Sequence, residues 1–174
     1  MIEFLILVDE NDNVLGKEEK LTVHEQGLLH RAFSIFIFNT KGELLLQQRA
    51  EEKYHSPGLW TNTCCSHPNF GEELNDAIKR RLFQEMGMYC ETNFAFTFKY
   101  KVHFENGLTE HEFDHVYIGI SDVLPQIEKS EVKNWKYSTM TEIENEIINY
   151  PEKYTEWMKI CLPEVKKHLK PSTF

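Results

Sequence analysis

The amino-acid sequence predicts an α+β fold, in which a mixed β-sheet has helices packed on both sides. Two observations lead to this prediction. Segments rich in Phe, Ile and Val, separated by turn residues, dominate the middle of the chain and are typical of β-strands. Segments with apolar residues at helical spacing lie among and after them. No repeat, low-complexity tract or Pro/Gly/Ser-rich linker divides the 174 residues, so residues 1–174 are expected to form a single domain.

The strands are predicted from apolar runs that end at turn residues. An Asn-Asp-Asn turn at 11–13 and the pair Lys41-Gly42 each separate two such runs. The pair Asn106-Gly107 is a strong signal for a hairpin between two further strands. The predicted strands cover residues 4–9, 14–20, 30–38, 44–48, 94–104, 110–120 and 132–137.

Three helices are predicted from apolar periodicity and from capping residues. Gly87 stands just past the end of the clearest one, where a left-handed cap favours glycine. Thr139 is a suitable N-terminal cap for the second. The last helix is expected to be interrupted at Pro163, because proline lacks the backbone N–H that a helix interior requires. The predicted helices cover residues 72–85, 139–149 and the segment from 151 towards 169.

The composition restricts the partners that this chain is expected to bind. The sequence contains 19 Lys and Arg against 28 Asp and Glu, a net charge of −9. Nucleic acids and anionic membranes are bound mainly by fields of Lys and Arg, so neither is expected as a partner. The four cysteines lack the regular spacing of a secreted disulfide framework. No segment approaches the roughly 18 apolar residues that span a bilayer, and a cytoplasmic location is expected.

Two carboxylates on one predicted strand mark a candidate metal site. Glu110 and Glu112 are two residues apart, so both point to the same face of the strand. Two like charges this close raise each other's pKa unless a cation lies between them. His24, His30 and His67 could add three imidazoles, and this donor set suits magnesium, manganese or zinc. The alternative is a solvated sheet face with solvated histidines, and the spacing alone leaves it open.

The helix at 72–85 can be compared with the phosphate-handling pattern of the Nudix superfamily, G-x5-E-x7-R-E-U-x-E-E-x-G-U, where U is bulky and apolar. Nudix hydrolases use the carboxylates of this pattern to hold metals that activate water. Two of those carboxylates are replaced here, which argues against hydrolysis. Aligned on Gly87, the chain matches the pattern at Glu72, Arg80, Leu82, Glu85 and Met88 and departs from it at Ser66, Arg81 and Gln84.

Three further features accompany this altered box: the stretch Thr61-Asn62-Thr63-Cys64-Cys65-Ser66-His67-Pro68, the pair Glu110-x-Glu112, and Trp157 in the last helix. With them, the chain from about residue 5 to residue 157 resembles the type I isopentenyl-diphosphate isomerases. Ser66 stands where many bacterial members have Gly. The resemblance implies a Nudix-like fold that interconverts isopentenyl and dimethylallyl diphosphate through a tertiary carbocation. Cys65 and Glu112 match the family's acid–base pair, Tyr100 a residue that orients Glu112, and Trp157 one whose ring faces the cation.

The resemblance also implies a set of contacts to metal and substrate. A protein-bound manganese, magnesium or zinc ion would be held by His24, His30, His67, Glu110 and Glu112. A second magnesium ion, which bridges to the diphosphate, would be held by Glu85 and the backbone carbonyl of Cys65. The family's diphosphate contacts are matched by Lys20, Arg49, Lys53 and Arg81. The expected partner is therefore a small diphosphate, bound by a monomer or a weak homodimer.

Two other functions remain open from the sequence. A Nudix-type diphosphate hydrolase would keep the fold and the anion site, but it needs a water-activating carboxylate cluster that this helix largely lacks. A non-catalytic domain could instead hold structural zinc at Cys64, Cys65 and His67. Adjacent cysteines fit that role poorly, because structural zinc sites usually space their thiolates two to four residues apart.

Overall fold

The computed structural model describes residues 2–169, and its strands form one mixed nine-stranded sheet. The strands are β1 (Phe4–Val8), β2 (Val14–Glu19), β3 (His30–Phe38), β4 (Leu44–Arg49), β5 (Trp60–Thr61), β6 (Cys64–Ser66), β7 (Thr92–His103), β8 (Thr109–Ile120) and β9 (Val132–Ser138). The helices are α1 (Lys20–Gln26), α2 (Leu74–Met86), α3 (Met140–Asn149) and α4 (Glu156–His168), with a 3-10 turn at Pro151–Lys153.

Strand β3 is the centre of the sheet. It runs parallel to β8 along its whole length, from the pair His30 and Glu112 to the pair Phe38 and Ile120. Strands β1, β4 and β6 pair with β3 in the antiparallel sense, and β7 forms an antiparallel hairpin with β8. The parallel register therefore brings the start of β3 beside the middle of β8.

The core lies on both faces of the sheet, because alternate residues of a strand point to opposite sides. On β3, Phe33, Ile35 and Ile37 pack in the cluster that contains α2. Phe36 and Phe38 pack in the other cluster, which contains residues of α3 and α4. The predicted α+β arrangement, a mixed sheet with helices packed on both sides, is confirmed.

Helix α1 and strands β5 and β6 were not predicted from the sequence. Residue 20, which the pattern assigned to a strand, begins α1 instead. Glu19 caps this helix by accepting a hydrogen bond from the Thr22 backbone N–H at 3.1 Å, and Gly27 ends it with φ 62°. The helix matters for the site, because it carries Lys20 and His24 into the structure one turn apart.

The interruption expected at Pro163 is wrong, because α4 continues through it from Glu156 to His168. Leu162 and Val165 on either side of the proline are buried in the core cluster beneath the helix. Burial of such side chains contributes about 1.5–3 kcal/mol each. It offsets the single hydrogen bond that the proline cannot donate. No helix among the described residues is long and apolar enough to cross a membrane.

Gly87 is a position where both the backbone conformation and the available space require glycine. It ends α2 with φ 62°, as its position in the sequence predicts, and its N–H donates to the Phe83 carbonyl. A Cβ atom at Gly87 would lie 2.2 Å from the Gln126 carbonyl oxygen. The Gln126 N–H donates to the Met86 carbonyl at 2.7 Å, so this loop is tied to the end of α2.

Gly87→Ala is therefore expected to destabilise the protein more than Gly107→Ala does. Gly107 has φ 84° but an added Cβ there meets nothing within 4 Å, so it isolates the cost of the left-handed backbone. That cost is about 1–2 kcal/mol, and the steric conflict at Gly87 adds roughly 1–3 kcal/mol. Urea unfolding of the two variants measures the difference, and equal losses would contradict the close approach at Gln126.

Candidate active site and metal centre

One pocket collects most of the residues singled out in the sequence. His24 and His30 are fully buried and reach Glu110, which lines this pocket. Arg81 and Glu85 come to it from α2, and Trp157 comes from α4. The predicted site residues that line the pocket are Lys20, Arg49, Lys53, Cys65, His67, Arg81, Glu85, Tyr100, Glu110, Glu112 and Trp157.

Strand β8 turns its carboxylates inward. Glu110, Glu112 and Asp114 alternate along the strand and are all buried, whereas His111 is only partly covered. The alternative of a solvated sheet face is therefore wrong for this strand. An unpaired buried charge is costly, so such carboxyl groups are either paired with cations or protonated.

Three histidines and Glu110 converge on one point. The side-chain ligand atoms of His24, His30, His67 and Glu110 all lie within 4.8 Å of one another. His24 Nδ1 is 2.6 Å from the Lys20 carbonyl and His30 Nδ1 is 2.9 Å from the Leu28 carbonyl. A carbonyl only accepts, so each Nδ1 carries a proton, and in the neutral ring each Nε2 presents a lone pair to the cluster.

Two of the inward-facing atoms have no hydrogen-bonding partner among the described residues. His24 Nε2 lies 3.3 Å from Glu110 Oε2, yet neither atom makes a hydrogen bond within residues 2–169. His30 Nε2 and His67 Nε2 face each other at 3.2 Å. Imidazole lone pairs and a carboxylate oxygen directed at one point are the donor set of a divalent transition metal or zinc ion. These residues therefore fit a bound metal ion.

Glu110 and Glu112 differ in their electrostatic surroundings. Burial would raise the pKa of Glu110, but the adjacent His24 and His55 outweigh it and hold that pKa well below its ordinary value. Burial raises the pKa of Glu112 well above its ordinary value, and the charges of Glu110 and Asp114 add to this rise. Glu110 is therefore the more acidic of the two carboxyl groups, although both lie on one strand.

Glu112 is held from two sides. Its Oε1 lies 2.8 Å from His67 Nε2, and its Oε2 accepts a hydrogen bond from the Tyr100 hydroxyl at 2.7 Å. Tyr100 stands opposite Glu112 in the register of β7 and β8. The hydrogen bond from Tyr100 orients the Glu112 carboxyl group so that its other oxygen faces His67. The same carboxyl group lines the pocket.

The adjacent cysteines on β6 have opposite surroundings. Cys64 is fully buried in the core cluster with α2, whereas Cys65 lines the pocket. The alternation of a strand separates them, because neighbouring side chains point to opposite faces. Burial raises the pKa of the Cys65 thiol to about 12, and nearby Glu85 adds to this rise. Cys65 therefore remains a protonated thiol at neutral pH.

Three cations of the pocket, Lys20, Lys53 and Arg81, form ion pairs with carboxylates. Arg81 Nη2 lies 2.5 Å from Glu85 Oε1 and 3.3 Å from Glu131 Oε2. Lys53 forms an ion pair with the same Glu131 oxygen, and Lys20 pairs with Glu3 at 2.7 Å. One oxygen of Glu131 thus lies between two cations of the pocket.

Arg49 and Trp157 are neighbours in the lining of the same pocket. The Arg49 guanidinium lies over the Trp157 ring, 5.3 Å from its centroid. The ring is nearly buried, and its Nε1–H donates to Thr61 Oγ1 at 2.9 Å. This hydrogen bond fixes the plane of the indole ring, which lines the pocket.

Sequence reasoning missed two residues of the site, His55 and Glu131. His55 Nε2 lies 2.8 Å from Glu110 Oε1, and Glu131 contacts Lys53 and Arg81. Both stand in irregular segments between strands, where neither periodicity nor a motif singles them out. The only signal at His55 is a histidine in a short polar loop ending in Pro57-Gly58.

Comparisons with known proteins place the chain in a family. The sequence matches the NUDIX domain over residues 28–159. The Isopentenyl-diphosphate Delta-isomerase of Pectobacterium atrosepticum is 48% identical over 161 residues, covering 92% of this chain and 90% of that protein. The Isopentenyl-diphosphate Delta-isomerase of Serratia proteamaculans is 50% identical over 165 residues, covering 95% of this chain and 92% of that protein.

The fold has close structural neighbours as well. The Deinococcus radiodurans protein DR0079 aligns with a TM-score of 0.78 at 18% identity, covering 93% of this chain and 98% of that one. The MutT protein of Methanosarcina mazei aligns with a TM-score of 0.67 at 16% identity, covering 80% and 94%. Together these matches define a protein of the Nudix class. Within that superfamily, the chain belongs to the isopentenyl-diphosphate isomerase family.

Glu131→Gln is expected to bind inorganic pyrophosphate more tightly than the unaltered protein does, because Lys53 and Arg81 lose the carboxylate that they share. A partly exposed ion pair is worth about 1 kcal/mol, which corresponds to roughly fivefold in Kd. Titration calorimetry at a fixed magnesium concentration measures this change. Glu51→Gln is the matched control, because it removes one charge from the exposed pair with Lys133. Equal tightening in both variants would point to a long-range charge effect and contradict the local competition.

Proposed function

We propose that this isomerase interconverts isopentenyl and dimethylallyl diphosphate by proton transfer between the substrate and two pocket residues, Cys65 and Glu112. The observation that carries this assignment is their placement: one thiol and one carboxyl line the same pocket, beside a set of cations. The substrate class, the reaction and the pocket chemistry are consistent with each other. An alkene needs a proton donor and a proton acceptor, and the diphosphate needs cations.

The acid–base pair would work as follows. One group gives a proton to the terminal alkene carbon, which creates a tertiary carbocation. The other removes a proton from the carbon next to the one that bears the diphosphate, so the double bond shifts and no atom is lost. Cys65 enters this cycle as a protonated thiol, since its pKa is raised to about 12. Glu112 would then have to be the ionised acceptor, a state that a cation bound beside it would favour, and its proton must return to the Cys65 thiolate before the next turnover. Cys65 and Glu112 exchange roles when the reaction runs backwards.

The residues around the pair would position the cation intermediate. Tyr100 holds one oxygen of the Glu112 carboxyl through its hydroxyl, which restricts rotation of that group. The Trp157 ring, fixed by Thr61, would face the carbocation. A desolvated cation over an indole face gains about 2 kcal/mol. Burial of the pocket residues keeps water from capturing the cation.

The metal ligands belong to the same proposal. The protein-bound ion would be held by His24, His30, His67, Glu110 and Glu112, and would be manganese, magnesium or zinc. A second ion, magnesium, would be held by Glu85 and the Cys65 backbone carbonyl. Such ions supply positive charge that neutralises the diphosphate and stabilises a nearby carboxylate. Lys20, Arg49, Lys53 and Arg81 would bind the diphosphate oxygens directly.

The setting of the enzyme completes the proposal. The four cysteines are free thiols in the structure, as a reducing compartment would require, and we place the protein in the cytoplasm. The partner would be a small diphosphate alone, with no nucleic acid or membrane involved, and the active form would be a monomer or a weak homodimer.

A Nudix-type diphosphate hydrolase is the alternative activity, and the helix α2 disfavours it. Arg81 stands where the Nudix pattern has a glutamate, and its guanidinium engages Glu85, one of the two carboxylates that the box retains. Incubation with isopentenyl diphosphate and magnesium separates the two activities. The isomerase yields the dimethylallyl isomer, whereas release of inorganic phosphate would favour the hydrolase.

Cys65→Ala is expected to abolish isomerisation, and Cys64→Ala to retain most of it, because only Cys65 lines the pocket. Removal of a general acid or base typically lowers the rate by 10²–10⁴-fold. Incorporation of deuterium from heavy water into isopentenyl diphosphate measures the proton exchange directly. Undiminished exchange in Cys65→Ala would remove that residue from the mechanism.

Glu112→Gln is expected to lower both the bound metal content and the turnover rate, because it replaces an ionisable carboxyl group, 2.8 Å from His67, by a neutral amide. Glu105→Gln, an exposed change in the β7–β8 turn, controls for the loss of one charge. Elemental analysis of the purified variants gives the metal stoichiometry, and a coupled product assay gives the rate. A full metal complement with unaltered turnover in Glu112→Gln would exclude this residue from the site.

A further inference from the structure

The two oxygens of Glu110 contact different groups. Oε2 lies 3.3 Å from His24 Nε2 and 3.8 Å from His30 Nε2, within the cluster of proposed metal ligands. Oε1 lies 2.8 Å from Nε2 of His55, which comes from the loop between β4 and β5. The carboxylate is therefore held between the ligand cluster on one side and His55 on the other.

The His55 ring is fixed by aromatic neighbours. It stacks on Phe104 with centroids 5.2 Å apart and an interplanar angle of 15°. It meets Trp157 edge to face at 5.7 Å and Tyr54 edge to face at 4.5 Å. Only 6% of His55 is exposed. The ring has little room to turn away from Glu110.

The backbone of the same loop is tied to the anion site. Arg49 Nη2 donates to the His55 carbonyl at 3.1 Å, and Arg49 Nε donates to the Ser56 carbonyl at 3.2 Å. Arg49 also lies over Trp157. The loop that carries His55 is thus anchored by a residue that lines the pocket, and His55 joins this anchor to Glu110.

His55 differs from the histidines of the ligand cluster. The ligand atoms that converge belong to His24, His30, His67 and Glu110. His55 approaches Glu110 from the other carboxylate oxygen, and its Nε2 is already engaged there. A histidine in this place acts on a ligand and does not contact the ion.

We propose that His55 is a positioning residue of the metal centre, which donates its Nε2–H to Glu110 Oε1 and so directs Glu110 Oε2 at the metal. This inference rests on the proposed metal site. Without His55, the carboxylate is free to rotate, and Oε1 loses its hydrogen bond in a buried place. Loss of such an outer hydrogen bond typically weakens metal binding 10–100-fold. Loss of His55 also breaks the connection that runs from Glu110 through His55 to the loop held by Arg49.

Two substitutions separate this hydrogen bond from simple packing. His55→Phe keeps a ring against Phe104 and Trp157 but has no N–H for Glu110. His55→Gln loses the ring but places an amide N–H at about the position of Nε2. The positioning role predicts that His55→Phe is the more damaging change to metal binding. A packing role predicts the reverse order.

The measurement uses the zinc-loaded protein, titrated with a chromophoric chelator to obtain the Kd for Zn²⁺. Cobalt-loaded protein gives a second readout, since the visible spectrum of Co²⁺ reports on the geometry of its ligands. We expect His55→Phe to raise the Kd by about 10–100-fold and to alter the cobalt spectrum. His55→Gln should stay within about threefold of the unaltered protein in Kd, because it restores the donor.

Two results would overturn the inference. One is an unchanged Kd and cobalt spectrum in His55→Phe, and the other is an equal loss in both variants. Circular dichroism establishes that each variant is folded, and His55→Met replaces His55→Phe if the latter does not fold. Isomerase activity is measured separately on the unaltered protein. Failure of that assay with the expected order of Kd values would refute the proposed reaction while leaving the role of His55 supported.

Discussion

The parallel pairing of β3 with β8 is the constraint on which the rest of the site depends. It places His30, the first residue of β3, beside Glu112 in the middle of β8. A shift of one residue would turn Glu110 and Glu112 to the other face of the sheet and leave His30 buried without a carboxylate. The apolar residues of β3 lock this register, because they fill separate cores on the two sides of the sheet. The relative positions of His30, Glu110 and Glu112 are therefore fixed by the packing of apolar residues that lie outside the site.

The same alternation explains how a single short strand can serve the core and the chemistry together. On β6, Cys64 fills the core against α2, and the next residue, Cys65, enters the pocket. On β8, the inward carboxylates alternate with partly covered residues such as His111. Rules of this kind are local, which is why the paired glutamates and the end of α2 at Gly87 could be predicted from the sequence. The role of Cys65, in contrast, was predicted only because the stretch Thr61 to Pro68 resembles a known family.

What the sequence left unpredicted depends on contacts between distant segments. Arg81 and Glu131 are 50 residues apart in the chain, and no spacing rule relates them. His55 lies in a loop whose backbone is held by a hydrogen bond from Arg49, and its ring contacts Trp157. Helix α1 has seven residues, too few for a periodic signal, and isolated helices of that length are marginal in water. Pro163 shows the converse, because burial of its neighbours against the sheet overrides a local rule.

The net charge of −9 raises the question of how this chain attracts a diphosphate. Charges on the far surface lie beyond the Debye length of about 8 Å at physiological salt, so they act weakly on a bound anion. Within the pocket the balance differs, because Glu110 and Glu112 face histidines and Glu85 faces Arg81. Each acidic group there is either paired or directed at the proposed metal position. Lys53 and Arg81 both pair with Glu131, so in the proposed function an incoming phosphate would take the place of that carboxylate beside the two cations instead of adding to it.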